Sequence, residues 1–458
     1  MKNKIVPVLR RQRCRSVCAL AAAIFLVGCP LRTRTADPVT INWNTTNQLI
    51  DGFGASATGY IEGFTPAMAD QFFSPDTGLG LSILRIRPIA DTLDEDCGCV
   101  SNNSPYHCVL GSASQIMTGD LQVAQLAAAR GVHLIAAPWS PPAAMKTSGK
   151  YCSGASIKGD SANYSKYASQ LGAALVLLKE HGLSVDALSV QNEPDIENPS
   201  YDTCRWTGQQ IHDFIPFLSR ALSSNGLEAV KIAAAEQSNW NFDLLNSSLQ
   251  DPQVADRVGI VFGHAYDAEN PSGLPAVGAR HVWQTEVGDS GKFDGSIRDG
   301  LRWARSIHNY MTIGANAWMY WSLACGTTYF NHDNNMCLTD QKNHLAKRAY
   351  TLGQFAKFVR PGWQRIGVTN RGTLLVTAYR GPENKFAIVV VNTSNTTYPH
   401  QSFVLNGITS RHFPALPWLT SRATSLQPQP AVSLLSNGTM FTYTIPSESI
   451  VTFQGRGD

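Results

Sequence analysis

The sequence is poor in charge, and no long hydrophobic run follows its N-terminal segment. Charged residues make up 16% of the 458 residues, and the formal net charge is +3. Residues 1–28 contain six basic and no acidic residues, so the rest of the chain has a net charge of −3. A slightly acidic chain has no electrostatic reason to bind nucleic acid or an anionic membrane, and we expect neither as a partner.

Motifs for phosphate and metal binding are missing as well. Gly52–Gly54 lacks the third glycine and the helix start of a dinucleotide-binding loop. Cys97–Cys99 is spaced too tightly for a structural zinc site, and no histidine pair follows at a suitable distance. No Ser-His-Asp order stands out either. We therefore expect no cofactor and no metal.

The basic N-terminal segment precedes the apolar run Ala19–Val27, which is too short to span a bilayer. This pattern predicts a signal peptide over residues 1–29. Leu26–Cys29 resembles a bacterial lipobox, in which the cysteine is lipidated, and the alternative is an ordinary signal with an incidental Cys29. We expect a monomer that is secreted or anchored to the cell envelope, with membrane contact only through that lipid.

Seven of the ten cysteines follow Cys29: Cys97, Cys99, Cys108, Cys152, Cys204, Cys325 and Cys337. All seven lie in turn-rich segments, which suits an oxidising compartment. Cys325 and Cys337 bracket one loop and could close it. Cys97 or Cys99 could pair with Cys108, and Cys152 with Cys204. Because seven is odd, one thiol is left over unless it pairs between chains.

From residue 51 to residue 348, short apolar strands alternate with amphipathic helical stretches. The predicted strands are Gly52–Ala55, Leu81–Arg87, His133–Trp139, Ala187–Asn192, Lys231–Ala235, Val258–His264, His281–Glu286 and Ala315–Trp321. The predicted helices are Asp120–Arg130, Ala162–His181, Gly208–Asn225 and Ser296–Met311. Gly131, Gly182 and Gly226 fall where the first three helices should end. Eight strands with crossovers predict an α/β fold, the (β/α)8 TIM barrel.

Residues 349–458 have a different pattern, typical of an all-β module. The predicted strands are Leu374–Tyr379, Phe386–Asn392, Phe403–Leu405, Met440–Ile445 and Ile450–Phe453. They are rich in β-branched and aromatic residues and are separated by Gly, Pro and Asn, which indicates a β-sandwich. Residues 37–50 precede the first barrel strand, and we expect them to contribute a strand to this sandwich.

The active site of such a barrel lies at the carboxyl ends of its strands. The predicted strand ends present Arg85, Arg87, Trp139, Asn192, Glu193, His264, Tyr266, Glu286 and Trp321. Two carboxylates across a cleft are what glycoside hydrolysis requires, one as a protonated acid and the other as an ionised nucleophile. Aromatic rings suit the C–H faces of sugars. The pattern therefore predicts a glycosidase.

Three segments carry a resemblance to glycoside hydrolase family 30: Ile50–Ser56, Ser189–Pro194 and Trp283–Glu286. Lys357–Gly362, where the chain leaves the barrel, is a further feature of that family. The resemblance runs from about residue 40 to the C-terminus. It implies a retaining β-glycosidase with a (β/α)8 barrel joined to a β-sandwich that is built from both chain ends.

The resemblance also implies roles for individual residues. Glu193 is expected to be the acid/base and Glu286 the nucleophile. Asn192 should hydrogen-bond the sugar 2-hydroxyl. Arg85, rather than Arg87, should lie beside Glu286 and keep it ionised.

The same resemblance places four further side chains in the substrate site. Tyr266 should hydrogen-bond the nucleophile. Trp139 and Trp321 should line the subsite of the cleaved sugar, where the alternative for each is a place in the barrel core. His264 either supports that subsite or is an ordinary core histidine.

Tyr201–Thr207 and Arg348–Gly362 are most similar to the xylanase branches of the family. Some of these require a glucuronate branch that is held by an arginine in the loop after strand eight. In this chain the loop, Leu323–Asn343, contains no arginine, and Lys342 is its one basic residue besides histidine. We therefore predict an endo-β-1,4-xylanase without strict glucuronate dependence.

Two alternatives remain open at the level of sequence. The first is a β-1,6-glucanase or a glucosylceramidase-like β-glycosidase. The second is a non-catalytic carbohydrate-binding surface lipoprotein, which should have lost one of the two glutamates. In each case the expected partner is a polysaccharide or oligosaccharide.

Overall fold

A computed structural model describes residues 37–57, 63–88, 113–150, 155–198, 202–325 and 334–458, with the backbone alone for 113–120. The predicted signal peptide with Cys29 lies outside these ranges, as do Cys97, Cys99, Cys108 and Cys152. No helix in the ranges given is long and apolar enough to cross a bilayer.

Strands and helices of the described ranges are numbered in chain order. The strands are β1 (Val39–Ile50), β2 (Gly52–Ser56), β3 (Ile83–Ile86), β4 (His133–Ala136), β5 (Val185–Ser189), β6 (Lys231–Ala235), β7 (Val258–His264), β8 (His281–Glu286), β9 (Asp289–Lys292), β10 (Ala317–Ser322), β11 (Asn334–Asn335), β12 (Trp363–Thr369), β13 (Leu375–Arg380), β14 (Lys385–Asn392), β15 (Tyr398–Asn406), β16 (Leu416–Thr420), β17 (Gln427–Pro428), β18 (Met440–Ile445) and β19 (Ser449–Arg456). The helices are α1 (Pro66–Phe73), α2 (Ala113–Ala128), α3 (Ser161–Glu180), α4 (Gly208–Ser224), α5 (Asn246–Gln250), α6 (Pro252–Ala255), α7 (Ile297–Ile313) and α8 (Lys347–Ala356).

Eight parallel strands close into a barrel in the order β10-β2-β3-β4-β5-β6-β7-β8. The predicted (β/α)8 fold is therefore confirmed, and all eight predicted strands form part of it. Side chains alternate along each strand, so every second residue points into the barrel. The interior is filled by an apolar cluster that includes Ile83, Ile135, Ile260, Phe262 and Met319. This packed layer of side chains supports the residues at the carboxyl ends of the strands.

The barrel helices begin and end where local chemistry satisfies their free backbone groups. At the start of α4, the Thr207 hydroxyl accepts from the Gln210 amide, and the Gln210 side chain accepts from the Thr207 amide. Gly131, Gly182 and Gly226 follow α2, α3 and α4 with φ of 73°, 79° and 65°, a conformation that favours glycine. The helix ends predicted from these glycines are confirmed. Helix α2 starts earlier than predicted, at Ala113.

The remaining long strands form a nine-stranded sheet in the order β17-β16-β19-β14-β13-β12-β1-β15-β18. The ring centroids of Phe403 in β15 and Phe441 in β18 lie 5.1 and 4.9 Å from that of Phe453 in β19. Within the sheet, other strands separate β19 from β15 and β18. The sheet must therefore curl until its two ends face each other, which produces the predicted sandwich. Strand β1 enters it by antiparallel pairing with β12 and parallel pairing with β15.

One face of this sheet packs on the barrel helices. In β14, Ala387, Val389 and Val391 belong to the same apolar cluster as the barrel helices. The alternating residues Ile388 and Val390 belong to the interior of the sandwich. The strand is therefore buried on both faces, which explains its nearly continuous apolar sequence.

Three strands of the sheet were not predicted: β12, β16 and β17. Each contains or adjoins residues that disfavour strands, such as Gly367 in β12 and Pro417 in β16. They form because partners such as β1 and β19 supply ladder bonds. A two-stranded sheet of β9 and β11, beside the barrel rim, was not predicted either.

The cysteines of the described ranges give one confirmation and one correction. Cys325 and Cys337 are joined in a disulfide, as their positions around one loop predicted. Cys204 is a free, buried thiol, so its predicted pairing with Cys152 is wrong. The buried Cys204 packs as a small hydrophobic residue in the barrel cluster.

Candidate active site

Four charged side chains from different strands converge at the carboxyl end of the barrel. Arg85 lies on β3, Glu193 follows β5, and His264 and Glu286 end β7 and β8. Their residues are 0%, 7%, 0% and 3% exposed. Arg85 reaches this position because it is two residues after the inward-facing Ile83.

A β-bulge directs Glu286 into the same space. In the pairing of β7 with β8, Gly263 lies opposite Gln284 and His264 lies opposite Glu286, so Thr285 is an extra residue. Strict alternation from the inward-facing Trp283 would put Thr285 inside and Glu286 outside. The bulge allows both side chains to face the interior.

Glu286 is held by two donors. Arg85 donates from Nη1 to Glu286 Oε2 at 2.8 Å, and the Tyr266 hydroxyl donates to Glu286 Oε1 at 2.8 Å. Both hydrogen bonds favour the ionised form of the carboxyl group. One oxygen each of Glu193 and Glu286 lie within 4.8 Å of each other. This separation is close to the ~5–5.5 Å of retaining glycosidases and shorter than the ~6.5–9.5 Å of inverting ones.

His264 lies between the two carboxyl groups. Its Nδ1 is 3.2 Å from Glu193 Oε1 and its Nε2 is 3.6 Å from Glu286 Oε2. Burial opposes a charge on this ring, but the surrounding carboxylates, Glu286 first, raise the pKa of His264 to about 10. The imidazole is therefore charged near neutral pH.

The pKa of Glu286 is subject to opposing influences. Burial raises the pKa of Glu286, and the neighbouring Glu193 raises it further, while His264 and Arg85 act in the opposite direction. Two ionised carboxyl groups this close repel each other, which is unfavourable in a buried space. Arg85 and Tyr266 oppose this rise, because both donate to Glu286 and favour its ionised form.

The backbone at Glu193 is strained. Its φ is 44°, in the left-handed region that glycine favours, which costs roughly 1–3 kcal/mol for another residue. The backbone N–H of Asn192 donates to the carbonyl oxygen of Pro138 at 2.8 Å, and the backbone N–H of Glu193 donates to the carbonyl oxygen of Glu236 at 3.0 Å. Arg85 donates to the amide oxygen of Asn192 at 2.6 Å, so the amide nitrogen is the group that can donate to a sugar hydroxyl.

Trp139 and Trp321 lie together beside these groups, each 5% exposed, with ring centroids 6.0 Å apart. They pack with Met336 and with the Cys325–Cys337 disulfide. The guanidinium of Arg85 lies 4.6 Å from the ring centroid of Trp139. The two rings thus form an apolar wall next to the carboxyl pair.

Arg87 lies two residues after Arg85 and farther out, near the barrel rim. Its guanidinium is 4.3 Å from the ring centroid of Trp139 and 2.9 Å from Asp202 Oδ2. Its side chain is 23% exposed, whereas that of Arg85 is fully buried. Arg85 is therefore the arginine in contact with Glu286.

Both parts of the fold match models of known carbohydrate-active families. The model of glycosyl hydrolase family 59 matches residues 55–341, and that of the glycosyl hydrolase family 30 beta sandwich domain matches residues 362–453. The structure of Xyn30A, a family 30 subfamily 8 xylanase from Clostridium acetobutylicum, is 30% identical in sequence, with a TM-score of 0.75. The alignment covers 92% of this chain and 99% of that one, so it includes barrel and sandwich together.

The chain belongs to glycoside hydrolase family 30. The family 59 model matches the barrel alone, whereas family 30 accounts for both parts. A family 30 endoxylanase from Clostridium papyrosolvens C71 is 27% identical with a TM-score of 0.72, over 92% of this chain and 100% of that one. Glucuronoxylanase XynC of Bacillus subtilis (strain 168) is 28% identical over 98% of this chain and 99% of its own length. The protein is a retaining O-glycosyl hydrolase.

The family 30 site contains a third carboxylate that sequence reasoning missed. Glu236 directly follows β6, is 0% exposed, and accepts from Arg85 Nε at 3.0 Å and from the Thr285 hydroxyl at 3.2 Å. The sequence signal that indicated Glu193 and Glu286 is present here too: an acidic residue stands at the carboxyl end of a barrel strand. Strand Lys231–Ala235 was predicted, but the residue after it was not considered.

The same cluster includes the one group of described residues that offers three donor atoms close enough for a metal ion. Glu193, His264 and Glu286 contribute one such atom each, all within 4.8 Å of one another. Arg85 and Tyr266 already donate to Glu286, and the adjacent guanidinium would repel a cation. The residues therefore fit acid–base and nucleophilic chemistry better than metal binding.

Proposed function

We propose that this family 30 enzyme is an endo-β-1,4-xylanase in which Glu193 is the acid/base and Glu286 the nucleophile. The observation that carries the proposal is the pair of buried carboxyl groups within 4.8 Å, one of which accepts from Arg85 and Tyr266. Relatives named as xylanases match the full length of barrel and sandwich, which supports xylan as the substrate class.

In the first step, Glu286 attacks the anomeric carbon of the bound sugar. The bond from that carbon to the leaving oxygen breaks, and Glu193 transfers its proton to the oxygen. The product is a covalent glycosyl ester on Glu286 and a shortened chain with a free hydroxyl. Arg85 and Tyr266 keep Glu286 ionised before the attack, and Asn192 donates to the 2-hydroxyl, a bond that strengthens in the transition state.

In the second step, water attacks the same carbon from the face that the leaving group vacated. Glu193, now ionised, accepts a proton from this water, and the ester bond to Glu286 breaks. The two carboxyl groups return to their starting protonation. Two inversions at one carbon leave the β-configuration unchanged.

Trp139 and Trp321 supply the walls of the subsite for the cleaved sugar. The Trp321 indole nitrogen is buried and has no hydrogen-bond partner among the residues described. A sugar hydroxyl could accept from it, which makes a bound ring a favourable partner for this otherwise unsatisfied donor. His264 supports the site through its contact with Glu193 at 3.2 Å.

The relatives named glucuronoxylanase raise the question of a glucuronate branch. Selective recognition of a carboxylate favours arginine, whose two parallel donors match its geometry. Within the loop after β10, Lys342 is exposed and lies beyond the Cys325–Cys337 disulfide. A lysine offers a point charge without that geometry, so we propose cleavage of unbranched chains nearly as well as branched ones.

We also propose that the enzyme acts outside the cytoplasm, secreted or held at the cell envelope through Cys29. The basic and apolar N-terminal segment supports this location. Metabolic labelling with a fatty acid tests it, because the wild type should be labelled and Cys29→Ala should not. Label on neither protein would indicate an ordinary signal peptide.

The substrate is tested with linear xylan, glucuronoxylan, β-1,6-glucan and aryl β-glycosides, with products separated by size. We expect oligosaccharides from both xylans, with specificity constants within about tenfold of each other. Proton NMR of the first product should show the β-anomer, and an initial α-anomer would contradict the mechanism. Cleavage of β-1,6-glucan or glycosides alone would favour the alternative substrates, and cleavage of none would favour a binding protein.

A further inference from the structure

Glu236 is a buried carboxylate that the proposed mechanism does not use. Its residue is 0% exposed, so it cannot touch a bound sugar. It nevertheless contacts three groups of the site: Arg85 at 3.0 Å, the Thr285 hydroxyl at 3.2 Å and His264 Nε2 at 3.6 Å. A buried charge in contact with two cations has an electrostatic effect on everything beside it.

The ionisable groups that face one another here come from five strands. They are Arg85 of β3, Glu193 after β5, Glu236 after β6, His264 of β7 and Glu286 of β8. The guanidinium is always charged, and the imidazole is charged near neutral pH because its pKa is raised to about 10. Two negative charges therefore balance this buried cluster.

Other charged side chains outside this cluster have partners of their own. Arg87 and Asp202 pair with each other at 2.9 Å near the rim. Asp195 accepts from the Ser238 amide at 2.9 Å and from its hydroxyl at 2.7 Å. Tyr266 is a neutral donor to Glu286.

Glu236 is one source of the two negative charges. Burial by itself would raise its pKa, but Arg85 and His264 outweigh burial and lower it, so Glu236 is ionised. In the proposed mechanism Glu286, which accepts from Arg85 and Tyr266, supplies the second charge. The cluster is then neutral only when Glu193 carries a proton.

If Glu236 had no charge, the same cluster would be neutral only when Glu193 is ionised. An acid/base that has lost its proton cannot assist departure of the leaving oxygen. The presence of Glu236 thus determines which protonation state of Glu193 suits its buried surroundings.

We infer that Glu236 is a positioning residue whose negative charge neutralises one of the two buried cations and so keeps the transferable proton on Glu193. The inference rests on the proposed role of Glu193. A backbone hydrogen bond also links the two residues: the N–H of Glu193 donates to the main-chain carbonyl oxygen of Glu236 at 3.0 Å. Ala235 and Glu236 have φ of 78° and 47°, so the chain holds a strained conformation where it delivers this carboxylate.

The test is the pH dependence of kcat/KM for Glu236→Gln, which removes the charge and keeps the shape. On linear xylan, kcat/KM should fall on the alkaline side of its pH profile, which is called the alkaline limb. This limb should move to lower pH by about 1–2 units, because Glu193 loses its proton more readily. On a dinitrophenyl β-glycoside, whose leaving group needs no proton, the limb should move much less. An alkaline limb that stayed at its wild-type position on xylan would overturn the inference.

Two variants separate charge from packing. Thr285→Val removes a neutral hydrogen bond to the same Glu236 oxygen and should leave the alkaline limb in place, even if the rate falls. Glu236→Asp keeps the charge and should also retain the wild-type limb. If Glu236→Asp shifted the limb as far as Glu236→Gln, packing rather than charge would be responsible.

Carbon-13 NMR of carboxyl-labelled wild-type enzyme provides a measurement that does not depend on a folded variant. The Glu236 signal should indicate an ionised group across the working pH range, and a protonated Glu236 would overturn the inference. The limb comparison can use any β-glycoside that the enzyme cleaves, so an error in the substrate class leaves it valid. Full activity of Glu193→Gln on xylan would instead refute the proposed mechanism.

Discussion

Histidine–carboxylate pairs occur at both ends of the barrel, and they differ mainly in burial. At the amino ends of the strands, His133 lies 3.2 Å from Asp186 and His281 lies 2.6 Å from Asp51. The side chains of the first pair are each 49% exposed. At the carboxyl ends, His264 lies 3.2 Å from Glu193, and these side chains are 0% and 9% exposed.

The comparison shows why similar residue pairs have different consequences. Water screens the exposed pair of His133 and Asp186, so its two charges interact weakly with each other and with the rest of the barrel. Around His264, low dielectric strengthens every interaction, and protonation of one group depends on the charges of the others. The buried end is therefore where the charge of one group most strongly affects the protonation of its neighbours.

Glu286→Gln should have the largest effect, because it removes the nucleophile at the buried end. We expect kcat to fall by a factor on the order of 10⁴ or more on every substrate, including those with activated leaving groups. Steady-state kinetics on xylan and on a dinitrophenyl glycoside measures this. Asp186→Asn, at the exposed end, is the matched control and should change kcat less than about twofold.

Glu193→Gln should have an effect that depends on the substrate. Activity on xylan should fall by about 10²–10⁴-fold, whereas formation of the covalent intermediate from a dinitrophenyl glycoside should remain rapid. Azide should restore turnover of Glu193→Ala and give a β-glycosyl azide, because a small anion needs no general base. Equal responses of the Glu193 and Glu286 variants to leaving group and azide would reverse or remove the assigned roles.

Arg85→Met tests how burial affects stability. Its removal leaves Glu236 and Glu286 buried without the guanidinium, so the free energy of unfolding should fall by roughly 3–5 kcal/mol. Arg298→Met is the control, since Arg298 pairs with Glu448 but its side chain is 71% exposed. That change should leave the free energy of unfolding almost unchanged, because water screens the pair. Denaturant titrations measure both, and equal losses would contradict the comparison.

His133→Gln should have the smallest effect, and it should depend on pH. The hydrogen bond to Asp186 raises the pKa of His133 above its ordinary 6.5, while burial lowers it in part. The charged pair therefore stabilises the fold fully below about pH 6.5, and this contribution disappears as the pH rises through the raised value. Unfolding at pH 5.5 should show a loss of less than about 1 kcal/mol, and at pH 9 no loss. A loss that grew with pH would contradict the assignment.

The features of this fold that could be predicted from the sequence are those that recur along the chain. Short apolar runs that alternate with helical stretches located all eight barrel strands, and glycines located the ends of three helices. Acidic and aromatic residues at strand ends indicated the site, since parallel strands deliver their carboxyl ends to one face. Strands β12 and β16 escaped prediction because Gly367 and Pro417 interrupt them and because their ladder bonds come from distant partners.

By itself, the sequence determined which residues could meet: a strand ending in Glu193 or Glu286 can present that side chain at one rim only. The tertiary structure decided how they meet. The bulge at Thr285 turns Glu286 inward, and the curled sheet brings β19 against β15. Burial makes Glu236, Arg85 and His264 one electrostatic unit. These outcomes depend on distances between segments far apart in the chain, and a local pattern contains no information about such distances.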